Sequence, residues 1–262
     1  MKILILNQMN ELNIYFFIPF FLIWGSFLNV IAYRLVNDIS FRKHRSFCTK
    51  CNKILSWYDL IPIVSWLFLK GKCRYCQQTI SCLYPFIEIL SAIIFYLLFL
   101  NISYPYSISY FVFFSALIIT IRTDIETMLI SRFVTLFLIP SAFIFSILDL
   151  LPISLMQVLF GIIFGYFLLF VISKIFLLLT KKEGIGQGDI ELLALIGAFT
   201  GIIGCWISLL IGSILGSFFG LFLILFKKLN FQTRIPFGPF LALGSIIYVL
   251  YQDLILYLIF GI

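Results

Sequence analysis

Charge is scarce in this sequence: only 11% of its 262 residues are Asp, Glu, Lys or Arg. Histidine occurs once, as His44, among Arg42, Lys43 and Arg45, on what reads as a solvated face. A Ser–His or Cys–His nucleophile would have to use that histidine, and nothing around it suits the role. A glycine-rich strand–turn–helix for a nucleotide phosphate is also missing, as are internal repeats, low-complexity tracts and interdomain linkers. The first apolar run, Ile14 to Ala32, lacks a small-residue cleavage site and has almost no basic flank. It reads as a retained helix and not as a removed signal peptide.

What the sequence does have is apolar surface. Hydrophobic residues make up 63% of the chain, and the mean hydropathy is +1.15. A water-soluble domain has no use for that much, so the expected class is an all-α polytopic membrane protein. The net charge of +7 would suit nucleic acid in a soluble chain. In a membrane chain excess Lys and Arg set topology instead, and no nucleic-acid partner is expected.

Apolar segments run over Ile14–Ala32, Leu83–Leu100, Tyr106–Ile121, Phe133–Leu148, Ile153–Leu179, Leu192–Phe226 and Phe237–Ile259. Leu192–Phe226 is too long for one comfortable crossing, and Gly197, Gly201 and Gly204 offer a break in its first third. Splitting it there gives about eight transmembrane helices. The clusters Arg34–Arg74, Arg122 with Arg132, Lys174 with Lys181 and Lys182, and Lys227, Lys228 with Arg234 then share one face, leaving only Lys2 opposite. The positive-inside rule makes that face cytoplasmic. The expected division is a first transmembrane helix over 14–35, a cytoplasmic segment over 36–82 and a membrane helical domain over 83–262.

Four of the six cysteines form two C-x-x-C pairs, Cys48 with Cys51 and Cys73 with Cys76. Two such knuckles on one short polar segment suit tetrahedral thiolate coordination of zinc. Two disulfides are the competing reading, favoured only in an oxidising compartment, and the cytoplasmic placement favours zinc. Cys82 and Cys205 stand outside the pattern as plain apolar side chains.

The stretch Gly184-Ile185-Gly186-Gln187-Gly188-Asp189 sets a carboxylate beside a backbone that bends sharply. Read alone it is a flexible interhelical loop with a solvated cap. Asp124 changes that, because the topology places it at the same depth on the same side. Paired carboxylates share a proton, so one takes a proton from water while the other polarises a peptide carbonyl. Gly188 would let a substrate backbone come close. A proton-coupled transporter is the rival reading, and it expects acids nearer the bilayer midplane. A membrane scaffold whose zinc domain docks partners is a third. Glu126 and Glu191 lie two residues from the aspartates, and Glu88 in the second helix requires a basic or polar partner if it faces the bundle.

Gly186-Gln187-Gly188-Asp189 resembles the GxGD signature of the type IV prepilin peptidases. Gly25–Arg34, Arg45–Cys51, Leu55–Pro62, Gly71–Cys76, Tyr84–Glu88 and Ile235–Leu241 resemble further motifs of that family in the same order, over nearly the whole chain. The resemblance implies a bacterial inner-membrane enzyme whose catalytic pair is Asp124 and Asp189, supported by Gly186, Gly188 and Glu126. It implies prepilin or pseudopilin substrates, cleavage after glycine at the cytoplasmic face, and methylation of the new N-terminus from S-adenosylmethionine. The chain departs from the family pattern twice. Ser131-Arg132 stands where Pro-Asp is common, and Glu191 where Lys is usual. For methyl transfer, Trp57, Tyr58, Asp59, Gly71, Lys72 and Glu88 are the candidates. Aromatic faces attract a sulfonium cation, and Gly71 permits close approach; plain packing of the small domain is the alternative for Trp57.

Overall fold

Apolar runs of this length leave each backbone N–H and C=O to be satisfied within its own segment, which in lipid means helix. The computed structural model describes residues 16–40, 45–182, 184–227 and 235–261. His44, Glu183 and the topology residues Lys2, Arg42, Lys43, Lys228 and Arg234 lie outside them. Among the described residues every regular element is helical, apart from two isolated antiparallel bridges, Phe47 with Ile54 and Lys72 with Thr79. The chain divides into two compact units, Met1–Leu100 and Asn101–Ile262.

The first unit contains α1 (Ile18–Val36), a short α2 (Val64–Phe68) and α3 (Leu83–Asn101). Gly25 brings α1 close to α3: a Cβ there would stand 2.7 Å from Ser91 Oγ. Buried Asn29 donates its side-chain N–H to the Tyr84 carbonyl at 3.2 Å, and Phe21 stacks on Phe99. These contacts account for Gly25 and Asn29 within the Gly25–Arg34 motif.

The second unit contains α4 (Tyr106–Thr127), α5 (Arg132–Ile147), α6 (Leu155–Thr180), α7 (Gln187–Lys227), α8 (Gly238–Leu250) and α9 (Gln252–Phe260). At 41 residues α7 is ~60 Å long, about twice the ~30 Å hydrocarbon core. It is interrupted at Gly201, where φ 69 and ψ −172 are not helical. That is the break expected from the glycines, and only glycine adopts this backbone easily. Phe237–Ile259, expected as one span, is instead two helices bent by 91°. Tyr251 (φ −127, ψ 32) breaks the helix, and Asp253 favours the new start by sitting in the first turn of α9. Five helices are long and apolar enough to cross a membrane, or six with the bent pair counted as one span.

Helices α6 and α7 meet backbone to backbone. A Cβ on Gly161 would collide with the Gly197 carbonyl, one on Gly197 with the Gly161 carbonyl, and one on Gly165 with the Leu193 carbonyl. Lipid provides no hydrophobic force between helices, so close packing of small residues does that work. Gly161→Leu is therefore expected to destabilise the protein by about 1–3 kcal/mol or more. A thermal unfolding midpoint in detergent unchanged from wild type would refute this.

Candidate functional site

The two aspartates stand on helix ends. Asp124 lies in the last turn of α4, three residues beyond the expected end of that helix at Ile121, and is 5% exposed. The helix stops when Met128 turns left-handed (φ 55) and donates its N–H to the Asp124 carbonyl. Asp189 lies in the first turn of α7, its carboxylate folded back on Gly186, whose backbone N–H bonds it. An acid there favours the positive end of the helix dipole. Asp189 Oδ1 is buried without a hydrogen-bond partner among the described residues. The charge of Asp124 reaches Asp189 directly.

A third chain segment completes the arrangement. Gly238, the first residue of α8, donates its N–H to Asp124 Oδ2 at 3.0 Å. A Cβ on Gly238 would stand 2.8 Å from that oxygen and 3.0 Å from Ile130 Cδ1. Ile130 also fills the space a Cβ on Gly188 would need, at 2.8 Å. One isoleucine side chain thus wedges the two glycine turns, one beside each acid. The absence of a Cβ on Gly188 makes room for Ile130. Gly238 and Ile130 were not among the sequence candidates. The signal for Gly238 was its place between Pro236 and Pro239 in the Ile235–Leu241 motif; that for Ile130 was its place directly before the Ser131-Arg132 departure. Gly238→Ala is expected to push into the Asp124 carboxylate and lower activity by about tenfold or more, read as turnover of substrate at normal expression.

The neighbouring acids are paired. Glu126 bonds Arg122, one helical turn back, whose side chain is 1% exposed. Glu191 Oε1 accepts from Arg132 Nε at 3.0 Å, and its Oε2 accepts from the Thr135 hydroxyl at 3.4 Å. The two departures from the expected family pattern are therefore bonded to one another.

In the first unit the four thiols converge. The Sγ atoms of Cys48, Cys51, Cys73 and Cys76 all lie within 4.8 Å of one another, with Cys48 and Cys76 at 3.9 Å. None is in a disulfide. Tetrahedral zinc with Zn–S of ~2.3 Å needs sulfurs ~3.8 Å apart, so the donor set fits. The knuckles repeat one another in hydrogen bonding, a repeat the residue identities hide. Cys48 N–H bonds the Lys53 carbonyl as Cys73 N–H bonds that of Gln78, and left-handed Asn52 and Gln77 close each turn. The Gln78 N–H lowers the Cys76 pKa, but burial and the other three thiols push it up to about 11.

The methyl-transfer candidates fall into three places. Trp57, Tyr58 and Asp59 form one 3₁₀ turn (Trp57–Leu60). Trp57 is 75% exposed; the Asp59 side chain is buried and bonds Arg74 Nε at 2.9 Å, while Arg74 also covers the Tyr58 ring. Gly71 (φ 67) is buried, and a Cβ there would stand 2.9 Å from the Trp66 ring, so its lack of a side chain serves the fold. Lys72 is exposed beside it. Glu88 is buried and accepts the Ile63 N–H at 2.8 Å, which supplies the polar partner it required.

Comparison with known proteins agrees with this layout. The profile of the bacterial peptidase A24 N-terminal domain matches residues 20–102, and that of the type IV leader peptidase family matches residues 111–221. A prepilin leader peptidase/N-methyltransferase of Aeromonas salmonicida is 32% identical over 261 residues, covering 89% of each chain. The chain belongs to the type IV leader peptidase family. A Bacillus subtilis prepilin leader peptidase/N-methyltransferase is 36% identical over 90% of this chain and 94% of its own. A type 4 prepilin-like proteins leader peptide-processing enzyme of Escherichia coli is 29% identical over 89% and 92%. No solved structure matches the chain. This peptidase A24 enzyme thus spans nearly the full length of its relatives.

Proposed function

We propose that this enzyme removes the leader of type IV prepilins or type II secretion pseudopilins after a glycine, using Asp124 and Asp189. The observation that carries the reading is the convergence of the two acids at helix ends, with Gly238 holding one and Asp189 Oδ1 left without a partner. The carboxylate of the pair takes a proton from water, and the hydroxyl adds to the scissile carbonyl. The protonated partner delivers its proton to the carbonyl oxygen. As the C–N bond breaks, the proton taken from water passes to the amine, which leaves as the new N-terminus, and one hydroxyl of the gem-diol returns its proton to the partner carboxylate. Gly238 N–H keeps one Asp124 oxygen fixed throughout. Acids at helix ends also favour hydrolysis over a transporter, whose acids would sit mid-helix near the bilayer centre.

The chain would cross the bacterial inner membrane about eight times, with α7 contributing two crossings about Gly201 and the acids at the cytoplasmic face. Residues 14–35 form the first crossing, 36–82 the four-cysteine domain and 83–262 the peptidase helices. Cys48, Cys51, Cys73 and Cys76 would hold a structural zinc, a closed site with no position for water and no step in the cleavage.

Methylation of the new N-terminus is assigned to the four-cysteine domain. S-adenosylmethionine, if held there, would supply an electrophilic methyl group for the new N-terminal amine. The exposed Trp57 face would draw the sulfonium, with the exposed Lys72 of the same domain as a polar contact. Gly71 is unsuitable as a probe because its replacement would disturb Trp66. A Trp57→Ala/Lys72→Ala double variant is expected to lower methylation of mature pilin while leaving leader removal intact, as read by mass spectrometry. Fully methylated pilin from that variant would place methyl transfer elsewhere.

A further inference from the structure

We infer that the Arg132–Glu191 ion pair is a positioning device for the aspartate pair, an inference that rests on the peptidase reading above. Each partner is two residues from the site. Arg132 follows Ile130, which wedges Gly188 and Gly238; Glu191 follows Asp189 in the first turn of α7. The bond between them, 3.0 Å long, fastens the start of α5 to the start of α7. It thereby closes a ring of contacts running from Asp124 through Gly238 and Ile130 to Arg132, then through Glu191 to Asp189. Losing the fastening lets Ile130 withdraw and the spacing of the two carboxylates drift.

The partners are unequal, and this makes the role testable. The Glu191 side chain is 4% exposed and the Arg132 side chain 64% exposed. Removing Arg132 leaves a buried carboxylate uncompensated, with only the Thr135 hydroxyl still bonding it among the described residues, two residues from Asp189. Removing Glu191 also loses the fastening but leaves no buried charge behind, since the guanidinium is released into water. Arg132→Gln is therefore more harmful than Glu191→Gln, and adding Glu191→Gln to it relieves the damage.

The test measures kcat, KM and the thermal midpoint with a purified type IV prepilin in mixed micelles. The variants are R132K, R132Q, E191Q and R132Q/E191Q, with D189N as control. R132Q is expected to lower kcat on the order of tenfold to a hundredfold with KM held within about twofold, as misplacement of reacting groups does. E191Q should lose less, the double variant should match E191Q, and R132K should regain most of the activity. Wild-type kcat in R132Q alongside an inactive D189N would overturn the positioning role while leaving the peptidase reading intact. So would equal losses in all three glutamine variants that merely follow their thermal midpoints. Cleavage by D189N would instead overturn the peptidase reading itself. Should R132Q fail to accumulate, E191Q carries the test: its kcat must fall at constant KM and thermal midpoint, and a wild-type kcat there refutes the inference.

Discussion

Asp124→Asn and Asp189→Asn are each expected to abolish leader removal while the protein still folds in the membrane. General acid–base action by a positioned carboxylate contributes ~10²–10⁴-fold, and each variant removes one half of the pair. Asparagine keeps the size of the side chain and one carbonyl oxygen. At position 124 that oxygen can still accept the Gly238 N–H, and at position 189 that of Gly186. The helix ends should therefore survive and only the proton chemistry should be lost. Asp124→Ala is expected to do more, because it also leaves the buried Gly238 N–H without its acceptor. The measurement is processing of a co-expressed prepilin, with variant levels checked by immunoblot. Substantial processing by either asparagine variant at normal levels would remove the aspartate pair from the mechanism.

The second large effect concerns the thiol cluster. The purified enzyme is expected to carry one zinc per chain, and Cys73→Ser to abolish it. Cys73 is 2% exposed, and its backbone closes the second knuckle through Gln78 and Gln77. Structural zinc contributes an apparent ~10–16 kcal/mol at neutral pH in small zinc-dependent folds, far more than this short segment's few buried side chains supply. Without metal, residues 45–82 should become sensitive to limited proteolysis, and methylation should fail with them. The helices of the second unit contain none of the four ligands, so cleavage should persist to a measurable degree. Protein free of zinc with all four thiols in disulfides would refute both the metal site and its cytoplasmic placement.

The legible part of the candidate site was its chemistry. Asp124 and Asp189 announced themselves because carboxylates are costly beside apolar runs, and the C-x-x-C pairs because thiolate spacing is dictated by metal geometry. The illegible part was packing. Gly188 and Gly71 are conspicuous as glycines, yet the space each leaves is taken by Ile130 and Trp66, and both had been assigned to visiting ligands. Bareness in a sequence does not say which neighbour needs it.

Hydropathy, glycine placement and short motifs are local properties: the first two determined an all-helical membrane chain with a broken α7, and the motifs pointed to the family. Tertiary structure alone decided what meets across the fold. Gly238 reaches Asp124 from 114 residues away, and the departures at Arg132 and Glu191 became one ion pair only when α5 met α7. The bend at Tyr251 belongs to the same class. The physical reason is that a lipid-facing side chain and a bundle-facing one have the same hydropathy, so an apolar run declares that a helix forms but not which face it turns to its neighbours.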